Sequence, residues 1–378
     1  MRIVADWLQQ PAVQAVFVTL TSAGHQALAV GGCVRNALLQ VPVADVDIAT
    51  DAIPERVTEL VQAAGMKAVP TGFDHGTVTV VSQGASFEVT TFRRDIETDG
   101  RHAVVAFSTR VEEDAARRDF TMNALYATAD GLVIDPLGGL PDVLAGRVRF
   151  VGTPADRIAE DYLRILRFFR FFALYGTEGL DADGLAACAS AAEGINRLSR
   201  ERIGAEMRKL LSAADPAPAL AAMAHAGVLA RVLPGADPRP LAPLVHLERD
   251  GAPDWMRRLA ALGGEDPLER LRLSGAEARD LAALRDAIGN MATPAVLGWR
   301  MGLGRGTDAM LLRAAVLDQS LPPDWMGEVS RGAAAIFPIA AVDLMPALQG
   351  PGLGARLKHL QADWIASDLR KTRAELLG

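Results

Sequence analysis

An α/β front half followed by an all-helical remainder is the fold class this sequence predicts, and three observations predict it. Up to about residue 150, short apolar or β-branched runs such as Ala27 to Val30, Gly76 to Ser82 and Ala85 to Phe92 alternate with turn signals. From Pro154 the apolar residues take up helical spacing, in RIAEDYLRILRFFRFFALYG. Beyond about residue 213, Ala/Leu-rich segments are broken at Pro216, Pro234, Pro238, Pro253, Pro294 and Pro322, as in a helical body with short connections. The expected division is therefore 1–150 as a head, 151–212 as a helical neck, and 213–378 as a helical body and tail. With 378 residues, half of them hydrophobic, the chain can build two or three compact units.

Each element follows from its local pattern. Residues 1 to about 24 read as amphipathic helix interrupted by Pro11, with Trp7, Leu8, Val16, Phe17 and Leu20 on the apolar side. Ala27 to Val30 reads as a buried strand ending in Gly31-Gly32, whose missing Cβ atoms let backbone N–H groups approach an anion, and Arg35 follows at the reach of a phosphate. After a short helix (Val34 to Leu39) and a turn at Pro42, a second strand is expected over Val43 to Ala49. It carries Asp45 and Asp47, which as i and i+2 share one face. Two carboxylates held so close repel unless a cation lies between them, and a hard divalent ion with phosphate oxygens suits the pair. Pro54 to Ala64 has helical spacing, and the two runs around Gln83-Gly84 read as a hairpin with Glu88 in its second strand. Arg93 to Ala103 is a charged loop with a turn at Asp99-Gly100, and RRDFTMNA (117–124) leads into a strand over Leu125 to Thr128.

The formal net charge of −7 argues against a generally basic surface, though a local basic groove remains compatible with it. Cys33 and Cys188 are far apart and outside any C-x-x-C, so neither a thiolate cluster nor a disulfide framework is expected, and a reducing cytoplasm fits. No leader pattern or bilayer-length apolar run occurs, so no membrane association is expected, and nothing calls for an obligatory protein partner. His225 and His246 stand among apolar neighbours and read as packing residues.

Alone, a Gly-Gly pair is a turn and an Asp-x-Asp a solvated strand end. In the order Gly-Gly, Val-Arg, Leu-Leu, Asp-x-Asp they resemble the first signature of the nucleotidyltransferase superfamily that includes class II CCA-adding enzymes and bacterial poly(A) polymerases. Asn36 departs from it, since the family usually has Asp after Val-Arg; the amide keeps an acceptor and loses the charge. RRDFTMNA resembles the second motif, which implies sugar and phosphate contacts from Arg117, Arg118, Asp119 and Asn123, with Asp119 accepting from a ribose 2′-OH. Asp135-Pro-Leu-Gly-Gly with Asp142 resembles the linking motif. Glu160-Asp161-Tyr162-Leu163-Arg164 resembles the fourth, and Leu198 to Ile203 with Glu206 the fifth, there with Ser199 as N-cap and an Arg202–Glu206 brace.

The resemblance implies a polymerase beta-like α/β nucleotidyltransferase head. It implies Mg²⁺ on Asp45 and Asp47, with Glu88 as a further candidate, and Arg93, Asp95 and Arg101 in a loop that helps switch nucleotides. Asp161 and Arg164, at i and i+3 on one helix, would present an acceptor beside donors. That order matches cytosine and adenine and mismatches guanine and uracil, with Arg167 one turn on for a phosphate or as backing for the base. The implied reaction is template-independent addition of CMP and AMP, from CTP and ATP, to the 3′ end of tRNA. Alternatives are a poly(A) polymerase, a CC- or A-only enzyme, and a non-catalytic RNA-binding relative; an acidic chain ending at Gly378 without a basic extension favours tRNA. Arg356, Lys358, Arg370, Lys371 and Arg373 resemble the family's tail and would grip an RNA backbone.

Overall fold

The computed structural model describes residues 1–72, 75–99, 102–249, 251–345 and 347–378, with the side chains of 95–99 and 102–105 outside the description. Two compact units divide it, the first comprising Met1–Glu206 with His225–Val232, the second Met207–Ala224 with Leu233–Gly378. The residues expected to form head and neck thus fall together up to Glu206. No helix among the described residues is long and apolar enough to cross a membrane.

The first unit holds a seven-stranded sheet and a two-stranded ribbon. The strands are β1 (Ala27–Val30), β2 (Asp47–Thr50), β3 (Lys67–Gly72), β4 (Thr77–Ser82), β5 (Ala85–Thr91), β6 (Arg93–Asp99), β7 (His102–Phe107), β8 (Tyr126–Ala127) and β9 (Val133–Ile134). The large sheet runs β3-β4-β5-β2-β1-β8-β9; β2 and β5 are parallel and the other pairs antiparallel. The expected β4–β5 hairpin forms, with positive φ at both Gln83 and Gly84, the turn whose twist matches its strands. Arg93 to Ala103, expected as a loop, is instead largely the antiparallel β6–β7 ribbon. Its β-branched and alternating residues outweighed the reading of a charge run as loop. The expected second strand is shorter than foreseen: β2 begins at Asp47, and Asp45 lies in the irregular stretch before it.

Strand alternation separates the two faces of the sheet. Val78, Val80, Phe87 and Val89 are buried, while Thr79, Ser86 and Glu88 point the other way. Helices Pro11–Ser22 and Pro54–Ala63 bury Val13, Val16, Phe17, Leu20, Val57 and Val61. Each such side chain contributes roughly 1.5–3 kcal/mol by leaving water. Pro11 and Pro54 open their helices, where the missing N–H has no intrahelical role.

The helix expected from Pro154 is two helices, Pro154–Glu160 and Leu163–Tyr175, broken at Asp161 with φ −155° and ψ 107°. Its carboxylate accepts from Leu163 N at 3.0 Å, a local bond that competes with helix continuation and restarts the helix behind it. Tyr162 then lies so close to Gly194 that a Cβ there would stand 1.9 Å from the ring. The second helix is fastened by aromatics: Phe120 sits 4.9 Å from Phe150 and 5.0 Å from Phe171, and Phe150 stacks on Phe168 at 5.4 Å between ring centroids.

The second unit is helical, including Leu241–Glu248, Trp255–Leu262, Gly275–Gly289, Pro294–Val316, Trp325–Ala334 and Gly350–Ala366. A buried ion cluster organises it. Arg258, 1% exposed, pairs with Glu248 and donates to the carbonyls of Leu211, Ala213 and Ala214, satisfying the end of helix Arg200–Leu211. Neighbouring Arg257 pairs with Glu248 and Asp308. The tail is two helices, Gly350–Ala366 and Arg373–Leu377, separated where Asp368 and Leu369 take positive φ. Three of its basic side chains are already paired: Arg370 with Glu328, Lys371 with Asp363 and Arg373 with Asp343.

Candidate functional site

The open face of the sheet gathers carboxylates. The β2–β5 register sets Asp47 directly beside Glu88, and β4 sets Thr79 against Glu88 from the other side. Asp45, Asp47 and Glu88, with Thr79 and Ser86, line one pocket of about 360 Å³. Although Asp45 precedes the strand, both aspartates reach this pocket. Burial, with the Glu88 and Asp45 carboxylates beside it, pushes the Asp47 carboxyl above its usual range; Arg118 opposes the shift. Among the described residues no group of three His, Cys, Asp or Glu side chains is arranged to hold a metal ion by itself. The set is nevertheless all oxygen, open to solvent and in excess of negative charge, the chemistry that fits a hard divalent cation with room for phosphate.

Beside the pocket the Gly-Gly turn opens helix Gly32–Leu39. Gly31 has φ 71° and ψ −116°, a conformation that needs glycine, and a Cβ on it would meet Arg118 Nη1 at 3.3 Å. Gly32 has space around it, with Arg35 Nη2 3.8 Å from where its Cβ would be.

Arg35, expected at a phosphate, is buried and engaged within the fold. It donates to Asn123 Oδ1, to Tyr175 Oη at 2.8 Å and to Asn36 Oδ1, and its guanidinium lies 4.1 Å from the Tyr175 ring centroid. Asn123 passes the connection on, donating to Asp119 Oδ1 at 2.9 Å. Asp119 in turn takes Arg167 Nε at 2.7 Å and Nη2 at 2.6 Å. Burial alone would raise the Asp119 carboxyl; Arg167, the Asn123 amide and Phe120 N–H together hold it below its ordinary range. One buried chain, Arg35–Asn123–Asp119–Arg167, thus joins the first motif to the helix after Asp161. Tyr175 and Phe171, which the motifs did not single out, flank Arg35 as i, i+4 aromatics of that helix.

Arg117 and Arg118 share Asp114, at 3.0 and 2.9 Å, and Tyr126 Oη donates to the same carboxylate at 2.7 Å. Burial would raise Asp114, but Arg118, Arg117 and Tyr126 outweigh it and hold it at about 2. The two arginines are thus held by Asp114, while the adjacent Asp119 turns to Arg167.

Asp161 and Arg164 do not sit on one continuous helix, and each has a partner. Asp161 accepts from Arg202 at 2.6 Å; Arg164 meets Glu160 and donates to the carbonyls of Arg157 and Arg117. The expected Arg202–Glu206 brace does not form, because Arg170 takes Glu206 and Arg202 reaches across to Asp161. Ser199 does cap its helix, accepting from Arg202 N at 3.4 Å. Arg93 donates to His75 O, whereas Arg101 and the side chain of Asp95 lie outside the described residues.

A sheet face of acidic side chains beside a glycine-opened helix defines the head of a nucleotidyltransferase. Residues 27–149 match the family model "Poly A polymerase head domain", and 180–239 match "Probable RNA and SrmB- binding site of polymerase A". The chain is 41% identical over 219 residues to the mitochondrial CCA tRNA nucleotidyltransferase 1 of Mus musculus, covering 54% of this chain and 50% of that protein. It is 38% identical over 259 residues to the CCA-adding enzyme of Leuconostoc citreum (strain KM20), covering 68% and 60%. The chain thus spans about half the length of the curated relatives it matches. The Bacillus stearothermophilus CCA-adding enzyme in complex with CTP superposes with TM-score 0.74 at 30% identity, over 95% of this chain and 94% of that one. A Thermotoga maritima CCA-adding enzyme complexed with tRNA, at TM-score 0.71 and 17% identity over 99% and 97%, shares the fold. The chain belongs to the family of class II CCA-adding enzymes and bacterial poly(A) polymerases.

Proposed function

We propose that the protein adds CMP and then AMP, from CTP and ATP, to the 3′ end of tRNA without a template. The observation that carries this reading is the convergence of Asp45, Asp47 and Glu88 on one open pocket. Asp45 and Asp47 would hold Mg²⁺, with Glu88 alongside, in a two-metal scheme in which one ion would lower the pKa of the RNA 3′-OH and the other would neutralise charge on the pyrophosphate leaving group. The chain's own groups orient the rest. The N–H groups that open helix Gly32–Leu39 are available to phosphate, the Gly31 N–H being taken by Leu125 O, and Asp119, which accepts from Phe120 N–H, Asn123 and Arg167, would exchange one of these partners for a ribose 2′-OH.

Base choice falls to Asp161 and Arg164. Their side chains are 27% and 13% exposed and sit in ion pairs with Arg202 and Glu160. A half-exposed pair contributes roughly 0–1 kcal/mol, so an incoming amino group can replace Arg202 at Asp161 at small cost. Cytosine and adenine bring that amino group next to a ring nitrogen acceptor; guanine and uracil would bring a carbonyl to the carboxylate. A cytoplasmic site of action accompanies this reading, supported by two free, buried cysteines.

The head model's description favours a second reading, poly(A) synthesis. Incubation with Mg²⁺, labelled CTP or ATP and tRNAs lacking A, CA or CCA separates the two. The proposal expects two C and one A, then arrest; continued A addition means a poly(A) polymerase, addition of only C or only A means a partial enzyme, and no incorporation means a non-catalytic relative.

A further inference from the structure

The stretch that brings Asp45 to the pocket has no regular secondary structure: residues 41–46 lie between helix Gly32–Leu39 and β2. What fixes its start is Asn36. Its Oδ1 accepts from Arg35 Nε at 3.1 Å and Nη2 at 2.8 Å, and its Nδ2 donates to Pro42 O at 2.8 Å. The backbone carbonyl of the same residue accepts from Val41 N at 3.0 Å. The orientation of the amide is dictated by its partners, since a guanidinium only donates and a peptide carbonyl only accepts. Arg35 is itself immobilised by Asn123, Tyr175 and the aromatic ring beneath it. Asn36 is therefore an adapter between a rigid buried cation and the segment that leads, three residues later, to Asp45.

We propose that Asn36 is a positioning residue: its side-chain amide tethers the Asp45-bearing segment to the Arg35–Asn123–Asp119 chain and so sets where that carboxylate stands in the pocket. The inference rests on the transferase reading only for its functional consequence. A carboxylate at this position would keep both bonds from Arg35, lose the donor to Pro42, and set negative charge against the Pro42 carbonyl oxygen. Aspartate thus cuts one half of the adapter, and alanine cuts both while leaving Arg35 short of an acceptor.

The test is amide hydrogen exchange of the full chain, read within residues 40–46 at Gln40 and Val41, whose N–H groups donate to Ala37 O and Asn36 O, for wild type, Asn36→Asp and Asn36→Ala, alongside Mn²⁺ binding by electron paramagnetic resonance. Loss of the one tether bond raises exchange in that segment about tenfold in Asn36→Asp, the equivalent of one hydrogen bond. Strands β1 and β5 should exchange at the wild-type rate, and Mn²⁺ affinity should fall severalfold. Wild-type exchange over 40–46 in Asn36→Asp overturns the tether, and faster exchange with unchanged Mn²⁺ affinity overturns its positioning of Asp45. An Asn36→Ala chain that melts early leaves Asn36→Asp, with its Arg35 contacts intact, to decide. A wild-type chain that binds no Mn²⁺ refutes the transferase reading, and the exchange result then stands by itself for the tether.

Discussion

The carboxylate face and the helix after Asp161 treat charge in opposite ways. On the sheet, Asp45, Asp47 and Glu88 crowd together, and burial with the two neighbouring carboxylates outweighs the pull of Arg118 on Asp47. Around the helix, Asp119 has Arg167, Glu160 has Arg164, Asp161 has Arg202 and Glu206 has Arg170. Like charges facing one another repel, which suits the cation proposed for this pocket. Neutralised pairs instead hold a surface in shape, and the exposed ones exchange partners cheaply. On the proposed function, the first region is completed by what binds, and the second is partly opened.

Breaking the first region should have the largest effect. Asp47→Ala removes the carboxylate between Glu88 and Asp45 and should lower nucleotide incorporation by about 10³-fold or more, on the order of 4 kcal/mol in barrier. Its melting temperature should hold or rise, because a like-charge repulsion goes with it. Next comes the aromatic fastening of the second region. Phe120→Ala empties a fully buried ring site between Phe150 and Phe171 and should cost about 3–5 kcal/mol in denaturant unfolding.

Acid sharpens the contrast. Asp114 titrates at about 2 in the folded chain against an ordinary 3.8, so its pairing with Arg117, Arg118 and Tyr126 stabilises the fold above pH 4 and is lost as pH falls toward 2. The loss is on the order of 2 kcal/mol. Comparing denaturation of wild type and Asp114→Asn across that range should show the difference vanish at the acid end. Asp47 moves the other way: its raised pKa means that cation binding weakens at a higher pH than an ordinary aspartate would give, measurable as Mn²⁺ affinity against pH. The smallest effect belongs to Arg202→Ala, which breaks a pair whose side chains are 32% and 27% exposed and should change stability by less than about 1 kcal/mol. Its signature is a lower KM for CTP and ATP, because Asp161 no longer needs to be freed.

The same contrast explains what the sequence made legible. Asp45 and Asp47 could be read from a two-residue period, since even with Asp45 ahead of the strand the spacing brings both to one pocket. Glu88 joins them through a parallel register between strands some forty positions apart, which no local spacing encodes. Helical spacing suggested one helix through Asp161 and a brace from Arg202 to Glu206. Asp161 instead bonds its own following backbone, and tertiary packing gives Glu206 to Arg170, so a long-range partner overrides the nearer one. In the body, Arg257 and Arg258 gave no sign of being buried, because their partners Glu248 and Asp308 come from other helices. Periodicity locates elements; which charges meet is decided by the packing between them.

The sheet carboxylates are the centre of the proposed reaction, and Asp47→Asn tests them most directly by removing charge while keeping shape. Wild type and variant, each incubated with Mg²⁺, labelled CTP and a tRNA lacking its terminal CCA, should differ from steady incorporation to background, with both chains melting within a few degrees of one another. Incorporation by Asp47→Asn at the wild-type rate would contradict the assignment of the pocket as the reacting centre.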